Sequence, residues 1–280
     1  MSILEAILLG IVQGLTEFLP ISSSGHLILV PWLQDYTFLQ ENDEFNKTFD
    51  VALHIGTLAA VVSYFSGDLW RMLTGWFRTL RKRSIESVDE RLAWVVVVAT
   101  IPAVIVGGLG EDWIDGHLGE PWMIAIALIF FGLLLGVADR RPQDEEVGEI
   151  SLKQGLILGV AQSLALSPGT SRSGITITTA RFMGIDRDGA ARISFLMLVP
   201  VTAGAVLVKA YGAITEGLPD DVAGPLIAGI IASAISGYLA IAGLLKFVAT
   251  HTYDGFVVYR VLVGLGVLLL IALGVREATF

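Results

Sequence analysis

Gly10-Ile-Val-Gln13-Gly-Leu-Thr-Glu17-Phe-Leu-Pro20-Ile-Ser22-Ser23-Ser24-Gly25-His26 is the stretch on which the fold turns. A second version of it runs Gly159-Val-Ala-Gln162-Ser-Leu-Ala-Leu-Ser167-Pro168-Gly169-Thr170-Ser171-Arg172-Ser173-Gly174. Gly10 pairs with Gly159, Gln13 with Gln162 and Ser24-Gly25 with Ser173-Gly174, each offset by 149 residues. Both copies read as apolar helices interrupted by Pro, Gly and a hydroxyl-rich loop. In a membrane chain, interrupted helices at corresponding places in two halves point to a binding site.

The surrounding sequence makes this a membrane chain. Hydrophobic residues are 54% of the 280 and the mean hydropathy is +0.72, and apolar runs near the ~20 residues needed to span a bilayer recur throughout. An all-α polytopic protein is expected, a single integral domain over 1–280. Its first repeat is 1–140 and its second 150–280. The start, Met1-Ser-Ile-Leu-Glu5, has no basic n-region and does not read as a cleaved signal peptide. Absence of cysteine excludes disulfides and thiolate metal sites, and a net charge of −9 argues against a nucleic-acid partner.

Six full spans are expected at residues 49–65, 92–109, 123–138, 193–211, 225–248 and 256–275. Residues 3–33, broken at 20–25, and 150–183, broken at 168–174, are read as two re-entrant hairpins of half-helices. That makes ten helices in all. Non-helical backbone at membrane depth survives only inside protein or against a wet cavity. Loop charge supports the count. Arg71, Arg78, Arg81, Lys82, Arg83 and Arg91 fall in one loop, whereas 34–46, 111–120 and 216–221 hold no Lys or Arg. Basic loops stay in the cytoplasm, and only with two hairpins do they all fall on one side. Three spans between the hairpins then make them enter from opposite faces, an inverted-topology repeat whose tips meet near the midplane.

The tips hold the chemistry. Gln13 and Glu17, four apart, share a helix face. Glu17 lies in the last turn before Pro20, where free carbonyls and a carboxylate favour a cation. Ser22, Ser23, Ser24, Gly25 and His26 begin the next half-helix, whose backbone N–H groups suit phosphate. The second tip adds Thr170, Ser171, Arg172, Ser173 and Gly174, with a guanidinium suited to phosphate. A divalent metal such as Mg²⁺ or Ca²⁺ on Glu17, with Gln13 beside it, would bridge phosphates. The nucleophile is left open between a hydroxyl, a water and an imidazole. Structural roles compete: Glu17 as a cap, Arg172 snorkelling to the interface, His26 as a helix-start filler, most serines as caps. His54 and Asp50 read as interfacial anchors, Arg260 as paired with an internal carboxylate or carbonyl, and the Trp residues as an interfacial belt.

These two motifs resemble the signatures of the undecaprenyl-diphosphate phosphatase family, the bacitracin-resistance proteins, and the resemblance covers the whole chain. Weaker matches are Phe49-Asp50-Val-Ala-Leu-His-Ile-Gly56, Phe195-Leu-Met-Leu-Val-Pro200 and Tyr259-Arg260. The resemblance implies hydrolysis of the terminal phosphate of undecaprenyl diphosphate. The product, undecaprenyl phosphate, is recycled as the lipid carrier of peptidoglycan. It implies a divalent cation, a multi-pass protein of the bacterial cytoplasmic membrane, and bacitracin resistance. The family's (Glu/Gln)-x-x-x-Glu motif falls on Gln13 and Glu17, its histidine on His26 and its arginine on Arg172. Ser22, Ser23, Thr170, Ser171 and Ser173 fall on motif hydroxyls. Gln13 stands where other members carry Glu, and His54 where many carry Gln, so His54 receives no catalytic role. Glu17, Ser23, His26 and Arg172 are the expected catalytic set, with Ser23 or His26 starting the attack. Ser22, Ser24, Gly25, Thr170, Ser171, Ser173 and Gly174 are expected to bind the substrate. Access is expected from the outer, periplasmic side. A lipid-phosphate flippase using the same tips is the competing reading, and a homodimer is left open.

Overall fold

The computed structural model describes residues 1–34, 43–216 and 223–279. Most of loop 34–46, and loop 216–221 beyond its first residue, lie outside the described residues. The described residues form eleven α-helices. In chain order these are α1 Ile3–Phe18, α2 Ser23–Gln34, α3 Asp43–Tyr64, α4 Ser66–Lys82, α5 Val88–His117, α6 Pro121–Asp139, α7 Leu152–Ser163, α8 Arg172–Phe182, α9 Arg187–Glu216, α10 Ala223–Val248 and α11 Asp254–Ala272.

Five of them, α5, α6, α9, α10 and α11, are long and apolar enough to cross a membrane, and they match five of the expected spans. The sixth expected span, 49–65, is α3, which meets that test only together with α4, bent 82° away from it. The extra helix is therefore α4, in a stretch read from its charges as a loop. Leu69, Met72, Trp76 and Thr79 pack inward, whereas Trp70, Leu73, Phe77 and Leu80 are exposed, with arginines interleaved. Charge density hid an amphipathic period from the sequence reading.

Both expected breaks are present: α1 stops at Phe18 and α2 starts at Ser23, while α7 stops at Ser163, a 3-10 turn covers Leu164–Leu166, and α8 starts at Arg172. None of these four half-helices exceeds 16 residues, below the ~20 that span a bilayer.

One packing relationship occurs twice. Half-helix α1 lies on α10, so close that a β-carbon on Gly10 would stand 2.5 Å from the Gly229 carbonyl oxygen. Half-helix α7 lies on α5 in the same way, with a Gly159 β-carbon 2.4 Å from the Ala99 carbonyl oxygen. Each half-helix thus packs against a long helix of the other half of the chain. Small residues permit such backbone approach between membrane helices. Ser236 Oγ donates to Gly10 O at 3.4 Å and Ser233 Oγ to Leu53 O at 2.9 Å, joining α1, α3 and α10. The interlock makes the chain one unit around a core that includes Phe18, Phe65 and Phe195. Phe18 meets Phe195 edge-on at 5.3 Å, directly behind Glu17 in sequence.

Candidate active site

The two breaks are built alike. Ser22 and Ser171, 149 residues apart, both hold a positive φ, of 78° and 76°. Each hydroxyl accepts from the backbone N–H three residues on, Gly25 N at 3.3 Å and Gly174 N at 3.0 Å. Side-chain capping satisfies an otherwise orphaned helix-start donor. A non-glycine residue in this region costs roughly 1–3 kcal/mol and is characteristic of functional sites.

The breaks are docked on each other. Ser173 Oγ donates to Leu19 O at 3.0 Å. Arg260 of α11 is fully buried and meets no carboxylate among the described residues. Its guanidinium donates to Pro20 O at 3.1 Å on the first tip, and to Gly169 O at 2.9 Å and Thr170 O at 3.0 Å on the second. Nε donates to Leu128 O at 3.1 Å. Of the two partners expected for Arg260, carbonyls are the ones found.

Docking brings Glu17 to Arg172. Arg172 Nη2 donates to Glu17 Oε1 at 3.0 Å, and Nη1 donates to Ser194 O at 2.7 Å. The other carboxylate oxygen, Oε2, accepts from Ser23 Oγ at 2.6 Å and Gln13 Nε2 at 3.2 Å. His54 Nε2 stands 3.9 Å from the same oxygen, its Nδ1 paired with Asp50 O at 2.7 Å. Burial strengthens each of these contacts because water competes less for the charges.

A cavity of about 680 Å³ opens onto this group. Glu17, Ser23, Ser24 and Arg172 line it, with His54, Asp50 and Asn46 of α3. Its far wall is apolar and includes Ile28, Leu198 and Val201. Its lining also includes His117, Gly119 and Glu120, between α5 and α6.

The remaining expected site residues lie behind the cavity wall. Ser22, Thr170, Ser171 and Ser173 are buried, and the first, third and fourth are engaged in caps and tip contacts. Gly25 and Gly174 supply the capped N–H groups. His26 belongs to the first tip but not to the cavity lining. Its Nδ1 donates to Ser22 O at 2.7 Å, which leaves Nε2 as acceptor for the Tyr259 hydroxyl at 2.8 Å.

Three contributors escaped the sequence reading. His54 reaches the carboxylate although it read as an anchor. Ser194 was one hydroxyl in an apolar run, yet it holds Arg172 and accepts from Thr176 Oγ1 at 2.8 Å. Tyr259 pairs with His26 across 233 residues; its place next to Arg260 was the available signal.

The donor set gives one test of a metal. Among the described residues no cluster of three or more His, Cys, Asp or Glu side chains is placed to hold an ion. Gln13 Oε1, however, is buried without a hydrogen-bond partner on the amide that touches Glu17. One carboxylate and one free amide oxygen fit an ion that takes its other ligands from phosphate and water, the habit of Mg²⁺.

The chain is 43% identical over 271 residues to an undecaprenyl-diphosphatase of Hahella chejuensis, covering 96% of this chain and 98% of the relative. An undecaprenyl-diphosphatase of Geobacter sulfurreducens is 45% identical over 270 residues, with the same shares. One of Thermomicrobium roseum is 42% identical, covering 97% of this chain and 99% of the relative. The family model described as bacitracin resistance protein BacA matches residues 6–266, and the chain belongs to that family.

Proposed function

We propose that this multi-pass membrane protein is an undecaprenyl-diphosphate phosphatase that releases the terminal phosphate as inorganic phosphate. The observation that carries the mechanism is the 2.6 Å bond from Ser23 Oγ to Glu17 Oε2 on the cavity wall. A hydroxyl held against a buried carboxylate is an activated nucleophile with its base. Ser23 Oγ attacks the terminal phosphorus while Glu17 takes the hydroxyl proton. The bond from that phosphorus to the bridging oxygen breaks, and its electron pair leaves with the lipid monophosphate. Glu17 then releases that proton to solvent with the departing monophosphate. Water attacks the phosphoserine phosphorus as Glu17 takes one of the water protons. The bond from phosphorus to Ser23 Oγ breaks and its electron pair stays on Oγ. Glu17 returns the proton to Oγ, and inorganic phosphate departs with Ser23 restored. Arg172, its fork pinned by Ser194 and Glu17, faces the charge that develops on the phosphoryl oxygens. His26 keeps the first tip in shape through Ser22 and Tyr259.

Glu17, with the unpaired Gln13 Oε1 beside it, would hold a divalent cation, Mg²⁺ or Ca²⁺. When bound, it supplies charge that offsets the leaving phosphate. With α3, α5 and α6 as three spans between them, the hairpins would enter from opposite faces. The cavity lining reaches the α5–α6 turn, a segment without Lys or Arg that lies away from the basic loops, which supports access from the periplasmic face of the inner membrane. A flippase for lipid phosphate has no use for a hydroxyl seated on a base, and the Ser23–Glu17 contact therefore favours hydrolysis.

The test is phosphate release from a 55-carbon prenyl diphosphate by purified protein, with and without Mg²⁺ or Ca²⁺. Release dependent on metal and abolished by Glu17→Ala and by Arg172→Ala is expected. Absence of release from folded wild-type protein with either metal would reject hydrolysis in favour of transport.

A further inference from the structure

The cavity is too small for the lipid it serves. At about 680 Å³ it matches the pockets of roughly 300–1,000 Å³ that enclose drug-sized ligands. It suits a diphosphate and the first isoprene units, and the rest of a 55-carbon tail must leave through a wall. Ala165, of the 3-10 turn, and Val206, of α9, both line the cavity. Leu166, next in the turn, lies against α5 at Gly107, within 3.8 Å of where a β-carbon there would be. Beyond this point Val104 and Ile105 of α5 are more than half exposed. They line a groove of about 320 Å³ between α5 and Pro200 of α9. A second groove, of about 270 Å³, shares Val97 and Pro200 with it and continues to Leu73 and Trp76 of α4. Thr100 is the single polar residue lining either groove apart from the indole N–H of Trp76. Pro200, inside α9, lines both grooves and joins them.

We infer that the seam from Val104 past Val97 and Pro200 to α4 is the track for the distal part of the prenyl tail. This rests on the diphosphatase reading. The tail is already in an apolar medium in the bilayer, so the seam contributes close packing and orientation rather than hydrophobic transfer. Its effect therefore falls on substrates long enough to reach it.

The experiment compares the 55-carbon diphosphate with the 15-carbon farnesyl diphosphate in vesicles. The variants are Val104→Trp and Val97→Trp, which fill the seam from positions open to lipid. Leu239→Trp, on the exposed face of α10, is the control. Seam filling is expected to raise KM for the 55-carbon substrate about tenfold, the low end of what a pocket contact discriminates. KM for farnesyl diphosphate and the melting temperature stay unchanged, and Leu239→Trp changes neither KM. Equal changes for both substrates, or none, would overturn the track and leave the seam to ordinary bilayer lipid. Wild-type protein that hydrolyses neither substrate would instead overturn the diphosphatase reading itself.

Discussion

Arg172 and Glu17 meet at 3.0 Å although 155 residues separate them in the chain. The contact divides the labour of one carboxylate. Oε1 holds the guanidinium, while Oε2 holds the Ser23 hydroxyl at 2.6 Å. The same side chain thus fixes the two tips relative to each other and stands ready to take a proton.

Glu17→Gln separates those duties. The amide keeps the volume and can still accept from Arg172, but it cannot take the serine proton. Loss of a general base costs typically 10²–10⁴-fold in rate. kcat for phosphate release is expected to fall by about that factor with little change in KM. A large rise in KM with kcat retained would move Glu17 from catalysis to substrate binding.

Ser23 and His26 are distinguished by trapping. Acid quench of enzyme turning over a substrate labelled in the terminal phosphate is expected to leave acid-stable label on Ser23. Ser23→Ala abolishes both label and turnover. His26→Ala slows the reaction, because Ser22 O and Tyr259 lose the ring that links them, yet still labels Ser23. Acid-labile label on the imidazole would contradict the placement of His26 behind the wall.

How far this site could be read in the sequence differs from residue to residue. Glu17, Ser23 and Arg172 were legible because charge and hydroxyls inside apolar half-helices have few structural uses. The fold was legible for the same reason, since five expected spans are uninterrupted apolar runs. Ser22, Ser171, Ser173 and Gly174 read as ligands to substrate; in the structure Ser22 and Ser171 cap the helix starts at Gly25 N and Gly174 N, and Ser173 ties the second tip to Leu19 O. Sequence shows a hydroxyl at a tip without showing whether it faces the cavity or the backbone. His54 was hidden for the converse reason: its place near the start of a span does not reveal which face it presents. Helix α4 was hidden by arginines that outnumber what a loop reading needed.

Arg260 is predicted to hold the tips in register. Arg260→Lys keeps the charge but offers a point donor in place of a planar fork, so carbonyls among those of Pro20, Gly169, Thr170 and Leu128 lose their partner. Each buried group left unsatisfied costs about 1–3 kcal/mol. A clear fall in melting temperature in detergent is expected, with kcat reduced more than KM is raised. Unchanged melting with Arg260→Lys would show that the tips dock without this clamp.

The twin close contacts predict twin sensitivities. Gly159→Ala would place its methyl 2.4 Å from the Ala99 carbonyl oxygen, and Gly10→Ala would meet Gly229 at 2.5 Å. Neither obstacle is a flexible side chain, so the helices must separate. Overpacking of this kind costs typically 1–3 kcal/mol. Both variants are expected to melt earlier and by similar amounts. A shift from one alone would show that the two interfaces are not equivalent.

Gln13→Glu tests the metal through the residue whose amide touches Glu17. In this chain the Gln13 amide donates to Glu17 Oε2 at 3.2 Å and leaves its own oxygen unpaired. A glutamate there places two like charges one helical turn apart, which is unfavourable without a cation and favourable around one. Ligand charge is a principal determinant of affinity for hard cations. The Mg²⁺ concentration for half-maximal phosphate release is therefore expected to fall about tenfold. The metal-free variant should melt earlier than wild type and regain stability on adding Mg²⁺, by the mass action of a ligand that binds only the folded state. An unchanged Mg²⁺ dependence, with melting indifferent to the ion, would mean that the cation travels with the diphosphate and is not held by Gln13 and Glu17.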